Sequence, residues 1–166
     1  MRERLDVYLG EFESRFGYPP DSNCLQEVRE GGSAAECDDI ASVSCDLALL
    51  YRHLHRLSLP DVGVGLFVHS EQQTVAGLRG ELPTRVTRVT GGAGGVEDSV
   101  VVFGSDGGGA LFALSRSDSR SDGATVYRLP PGRVDGQTYH CASAVEVLAA
   151  GVQGFLTYVE DELQRN

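Results

Sequence analysis

The chain has 166 residues, of which 41% are apolar, and it carries 24 acidic against 14 basic side chains, for a net charge of −10. A chain of this length can bury one sizeable core, so we expect a single domain over residues 1–166. The acidic surplus repels phosphate backbones and argues against nucleic acid as a partner, and no apolar run approaches the roughly 20 residues that span a bilayer.

The spacing of apolar residues in the first third of the chain predicts two helices. Apolar residues recur at three- and four-residue steps from Leu5 to Phe16, and Gly17-Tyr18-Pro19-Pro20 stops this helix. Residues 21–39 read as loop or short helix. From Ile40 to Leu57 the apolar residues again keep helical spacing, with aspartates before them and basic residues at the end, an order that suits the helix dipole.

The remainder of the chain predicts a sheet closed by a helix. A short strand at 66–68 precedes a short helix that begins at the capping-box pair Ser70 and Gln73 and ends at Gly80. Runs of strand-forming residues, separated by Gly, Asp or Ser, then predict an antiparallel meander at 86–90, 99–103, 110–114 and 124–129. Ser143 and Glu146 have capping-box spacing and predict the start of a long terminal helix.

These elements define an α+β fold. We expect one mostly antiparallel sheet of about four to six strands, packed by the N-terminal helices and by a long C-terminal helix. The absence of an apolar leader behind Met1 predicts a soluble, cytoplasmic protein, in which Cys24, Cys37, Cys45 and Cys141 are free thiols.

The glycine-rich stretch at 104–109 is the most conspicuous local feature. A phosphate cradle needs its glycines between a strand and a helix N-terminus, whereas strands are predicted on both sides here. The stretch is therefore interpreted as a hairpin turn, in which Asp106-Gly107 supplies the positive φ angles of a tight connection. The functional alternative is a rim of exposed backbone that contacts a partner.

No motif in the sequence indicates catalysis or a cofactor. The four histidines and four cysteines lack the CxxC, HxxxH and HExxH spacings of metal sites, and no GxSxG nucleophile elbow is present. We therefore predict a protein that is not an enzyme, with no catalytic residue, no metal and no cofactor.

The acidic surplus suggests a second function class, the binding of a cationic protein, since an acidic face steers such a partner toward it. The candidate partner-binding residues lie at the rim of the predicted sheet: Glu97, Asp98, Asp106, Asp118 and Asp122. A second acidic group, Glu36, Asp38 and Asp39, precedes the second long helix, and a merely solvated charged surface is the plain alternative. Tyr127 is either an aromatic anchor for the partner or a core residue of its strand.

From about Leu49 onward the chain resembles the SUKH superfamily. The residues that carry the resemblance are Ser58 to Val62, the strand–turn–strand segment from Val101 to Leu114, Val126 to Pro130, and the terminal amphipathic helix. Bacterial branches of that superfamily include immunity proteins that neutralise polymorphic toxins, and a eukaryotic branch includes a yeast regulator of cell-wall synthesis. The resemblance implies a non-enzymatic domain that blocks a cognate toxin, and a basic nuclease toxin suits the acidic charge.

Two other functions stay open from the sequence. One is a regulatory scaffold that binds a housekeeping protein, and the other is a small-molecule site in the concave face between sheet and helices. The sequence leaves the oligomeric state open.

Overall fold

The computed structural model describes residues 1–27, 40–88, 96–117 and 123–165. The described residues form four α-helices: α1 (Arg2–Phe16), α2 (Cys45–Tyr51), α3 (Glu71–Ala76), which continues into a π-helical turn at Gly77–Glu81, and α4 (Gly151–Arg165). The strands are β1 (Cys24–Glu27), β2 (Leu54–Leu59), β3 (Leu66–Val68), β4 (Arg85–Arg88), β5 (Val96–Asp106), β6 (Leu111–Ser115), β7 (Thr125–Leu129), β8 (Gly132–Asp135), β9 (Thr138–Cys141) and β10 (Glu146–Ala150). The predicted α+β class is confirmed.

The long strand β5 organises the sheet. One edge of β5 pairs with β4 near its start and with β3 near its end, while the other edge pairs with β6. The strands β1 and β2 continue the sheet beyond β3, and β7 and β10 continue it beyond β6. Each of these pairs is antiparallel, and β4 with β9 is parallel.

Both faces of β5 are buried, because its side chains alternate between two cores. Val101 and Phe103 point toward the helices and join the larger core, which includes residues of α1, α2 and α4. Val100 and Val102 point the other way, where residues of β4 and β9 cover them. The sheet is therefore enclosed by helices on one side and by its own β4 and β9 strands on the other.

The first helix and the short third helix match their predictions. In α1 the side chains of Leu5, Tyr8 and Phe12 are buried, and the helix ends at Gly17. In α3 the Ser70 side chain accepts from the Gln73 backbone, and the Gln73 side chain accepts from the Ser70 backbone. Both hydrogen bonds of the predicted capping box are thus present. No helix in the described residues is both long enough and apolar enough to cross a bilayer.

The second predicted helix, at 40–57, is shorter than expected at both ends and is wrong over its last third. The helix α2 covers only Cys45–Tyr51, and residues 54–59 form β2 instead. The spacing of Leu54 and Leu57 fits a helix, but Leu57 and Leu59 also fit the two-residue period of a strand. Because β1 and β3 pair with the two edges of β2, the chain is extended there. The strand β1 likewise replaces part of the loop or short helix predicted for 21–39, of which residues 28–39 lie outside the described part.

The terminal helix begins later than predicted. Residues 146–150 form β10, which pairs with β7, and α4 starts at Gly151. The Ser143–Glu146 spacing is therefore no helix cap. The strands β1, β2, β8, β9 and β10 also make the sheet larger than the four to six strands expected. The three described cysteines, Cys24, Cys45 and Cys141, are free thiols, and Cys37 lies outside the described residues.

Candidate binding cleft

The glycine-rich stretch forms the hairpin turn between β5 and β6, as predicted. The Asp106 N–H donates to the Ala110 carbonyl at 2.9 Å. The Asp106 Oδ1 atom accepts from the N–H of Gly108 at 2.9 Å and of Ala110 at 2.8 Å. The positive φ angle lies at Gly109, at 87°, and not at Gly107 as the Asp-Gly dipeptide had suggested. The carboxylate of Asp106 therefore closes the turn from within.

Gly107 fastens the turn to the loop that precedes β3. Its N–H donates to the Gly65 carbonyl at 3.3 Å. A Cβ atom at Gly107 would stand 2.0 Å from the Val64 carbonyl oxygen, so only glycine allows this approach. The loop and the turn thus form one surface, held by backbone contacts.

The side chain of Arg128, on β7, reaches back to the turn. Its Nη2 and Nε atoms donate to Asp106 Oδ2 at 2.6 and 3.1 Å. Its Nη1 atom lies 3.6 Å from Oε2 of Glu146, which faces it across the β7–β10 pair. The hydrogen bond to Asp106 raises the pKa of the Arg128 guanidinium. Arg128 therefore ties the turn to β7 as a permanently charged group.

These residues line a cleft of about 260 Å³ between the 62–66 loop, the sheet and α4. Its apolar part comes from the loop and from Phe112. Five charged side chains also line it, three acidic and two basic: Asp106, Glu146, Glu162, Arg128 and Arg165. Both arginines have acidic partners within the cleft, and the excess charge is negative.

Tyr158 of α4 adds a phenol to the cleft wall. Burial raises its pKa, and the nearby Glu162 raises it further, so the hydroxyl stays protonated at neutral pH. None of the described residues that line the cleft is a Ser, Thr, Cys or His. The polar part of the lining therefore consists of carboxylates, guanidinium groups and the Tyr158 phenol, which can hold a ligand through charge and hydrogen bonds.

The predicted partner-binding residues that the structure describes do not lie at one place. Asp106, which is 7% exposed as a whole residue, lines the cleft, whereas Asp98 lies eight residues away along β5, about 26 Å at the rise of a strand. Glu97, beside Asp98, is exposed. Asp118 and Asp122 lie outside the described residues, as do Glu36, Asp38 and Asp39. The acidic side chains Glu97, Asp98 and Asp106 therefore do not form one patch.

Asp98 and Tyr127 are core residues, which corrects their expected place at an accessible rim. Their exposed fractions are only 5% and 4%. The Tyr127 hydroxyl donates to Asp98 Oδ2 at 3.1 Å, and the Ser115 hydroxyl donates to the same oxygen at 2.9 Å. The buried carboxylate thus holds β6 and β7 to β5, and the interpretation of Tyr127 as a core residue of its strand is the right one.

The sequence did not single out the other polar residues of the cleft: Arg128, Glu146, Tyr158, Glu162 and Arg165. Tyr158 and Glu162 are four residues apart in α4, on one side of the helix, and Arg165 follows Glu162 by a further turn. This spacing is visible in the sequence. Its relation to Arg128 is not, because the strand pairing of β7 brings these groups together.

Comparison with models of known protein families, with curated proteins and with solved structures found no match. Within the described part of the chain, no group of three or more His, Cys, Asp and Glu side chains is placed to hold a metal ion.

Proposed function

We propose that the protein is a non-enzymatic, SUKH-type immunity protein, which neutralises a cognate bacterial toxin by binding it directly. The observation that carries the binding role is the chemistry of the cleft, in which acidic side chains outnumber basic ones among the described lining residues. The toxin as partner class comes from the sequence resemblance around Val101 to Leu114.

The charge of the chain supports a basic partner. The net charge of −10 attracts a cationic protein over distances of about one Debye length, roughly 8–10 Å at physiological salt. Within the cleft, Glu146 is 57% exposed, so its carboxylate is accessible to a partner. A partner with a basic active-site surface, such as a nuclease, has the complementary charge.

The experiment is a neutralisation assay with the toxin-like protein encoded beside the gene for this chain. Co-expression is expected to rescue growth, and titration calorimetry is expected to show a complex whose affinity falls between about 0.05 M and about 0.5 M salt. Absence of both rescue and binding for every neighbouring toxin-like protein would contradict the proposal.

Matched variants locate the contact. The Glu146→Gln/Glu162→Gln double variant removes two acidic charges from the cleft, and Glu81→Gln/Glu97→Gln removes two exposed acidic charges elsewhere. We expect the first pair to weaken binding about three- to tenfold and the second to change it less than about twofold, since one exposed ion pair contributes roughly 0.2–1 kcal/mol.

A small-molecule site is the second candidate for the same cleft. Its volume of about 260 Å³ is just below the range of roughly 300–1,000 Å³ that is typical of ligand pockets. The pairing of Arg128 with Asp106 also leaves the cleft poorly suited to an anionic metabolite. These two observations favour a protein partner over a small molecule.

A further inference from the structure

The two arginines of the cleft are held very differently. The Arg128 side chain is 34% exposed, and it is bound to the carboxylate of Asp106, whose side chain is only 4% exposed. Arg165 is 68% exposed, and its Nη1 atom contacts Glu162 Oε1 at 2.7 Å within the last turn of α4. An exposed ion pair of this spacing contributes only about 0.3–0.5 kcal/mol. Arg128 is thus a fixed part of the wall, whereas Arg165 is held loosely.

The Glu162 carboxylate in the cleft therefore already binds one guanidinium group, that of Arg165. A second carboxylate, that of Glu146 on β10, also lines the cleft, and its Oε2 atom lies 3.6 Å from Arg128 Nη1, beyond hydrogen-bond distance. Tyr158 of α4 also lines the cleft, and both Glu162 and Glu146 are near enough to act on its hydroxyl electrostatically. These groups bind cations well, because carboxylates accept from N–H donors and an aromatic face attracts positive charge.

We propose that this cleft receives an arginine side chain of the protein partner, which displaces Arg165 from Glu162; this inference rests on the proposed function. The incoming guanidinium contacts Glu162 and Glu146 and packs beside the Tyr158 ring. Arginine suits this place better than lysine, because its planar fork bonds two carboxylates in fixed directions and stacks on an aromatic ring. In the free protein, Arg165 fills the position as an intramolecular competitor.

The proposed contacts determine whether each of three substitutions strengthens or weakens binding of the incoming arginine. Arg165→Gln removes the competitor and is expected to tighten binding of the incoming arginine about two- to threefold, the factor that corresponds to a weak exposed ion pair. Glu162→Gln and Glu146→Gln each remove an acceptor and are expected to weaken that binding about two- to fivefold. If the arginine peptide were attracted only by the negative net charge of the protein, Arg165→Gln and the neutralisation of a distant arginine would tighten binding equally. Arg52→Gln is therefore the control for Arg165→Gln.

The test is an NMR titration of the full, isotope-labelled chain with a blocked pentapeptide, acetyl-Gly-Gly-Arg-Gly-Gly-amide. The citrulline counterpart has nearly the same shape without the charge, and the lysine counterpart keeps the charge without the fork. The amides of Gly63 and Gly65, which line the cleft, report on binding there. We expect the arginine peptide to bind with a Kd of about 1–10 mM, the lysine peptide more weakly, and the citrulline peptide at least about tenfold more weakly.

Two results would overturn the proposal. The first is the absence of shifts at the cleft glycines with the arginine peptide, or equal shifts with the citrulline peptide. The second is an Arg165→Gln variant whose affinity is unchanged, or changes no more than that of Arg52→Gln. The Tyr158→Phe and Tyr158→Leu variants test the ring, since only the second is expected to weaken binding.

The peptide result is separate from the toxin assay. Toxin neutralisation without peptide binding would leave the proposed function standing and place the partner on another surface. Peptide binding without any neutralised toxin would support the cleft and contradict the immunity role. A dispersed NMR spectrum of each variant confirms that it is folded, and the peptide comparison on the unmodified chain remains decisive if one variant does not fold.

Discussion

Replacement of Asp106 by alanine tests how the turn and the cleft are held together. The carboxylate is almost fully buried and accepts four hydrogen bonds, two from backbone N–H groups of its own turn and two from Arg128. Hydrogen bonds to a charged group contribute about 1.5–3 kcal/mol each, but water can replace part of those from Arg128, whose side chain is 34% exposed. We therefore expect Asp106→Ala to lower the free energy of unfolding by about 3–5 kcal/mol.

The companion substitution separates the two contributions. Arg128→Ala leaves Asp106 with both of its turn N–H donors, so it is expected to lower the free energy of unfolding by only about 1–2 kcal/mol. Urea denaturation followed by circular dichroism measures both variants, and Glu97→Ala, an exposed acidic residue on the same strand, is expected to stay within about 0.5 kcal/mol. If Asp106→Ala costs less than about 1 kcal/mol, or no more than Arg128→Ala, then the turn is not closed by this carboxylate and the reasoning fails.

Gly107→Ala is expected to lower the free energy of unfolding by about 2–4 kcal/mol, because its Cβ atom would stand 2.0 Å from the Val64 carbonyl oxygen. Gly10→Ala, in α1 with open space around the new Cβ, is expected to raise it by about 0.5–1 kcal/mol in the same denaturation assay; equal effects at both sites would contradict the close approach. Burial lowers the pKa of His69 below its usual 6.5, so the unfolded chain binds the proton more tightly, and stability is lost as pH falls through about 6.5 toward the folded pKa. His69→Gln is expected to lose less stability than the unmodified chain between about pH 7 and pH 5, and His53→Gln is the exposed control; an unchanged pH profile for His69→Gln would contradict the prediction.

Several elements could be predicted from the sequence because neighbouring residues determine them. The apolar spacing and the stop at Gly17 define α1, and the side chains of Ser70 and Gln73 cap α3 through their own backbone. The β5–β6 hairpin follows from two strand-forming runs around a glycine-rich turn. The residues that decide these elements are close in sequence, within one or two helical turns for α1 and α3 and across a single turn for the hairpin.

The errors occur where pairing partners decide between helix and strand. Residues 54–59 and 146–150 carry apolar spacings that a helix also satisfies, but β1 and β3 pair with the first segment, and β7 pairs with the second. The hydrogen bonds of those pairs, and the buried leucines of the 54–59 segment, outweigh a weak local preference. A single sequence does not show which strands become neighbours.

The candidate cleft also combines features that local sequence predicts with features that only the fold determines. The sequence determined that the chain is acidic and that Asp106 belongs to a glycine-rich turn, because both are properties of composition and of adjacent residues. Only the tertiary structure decided that Asp98 is buried at the far end of β5, and that Arg128, Glu146 and α4 join Asp106 around one cleft. The physical reason is that burial and ion pairing depend on groups brought together by the sheet from positions many residues apart, and local patterning carries no information about those distances.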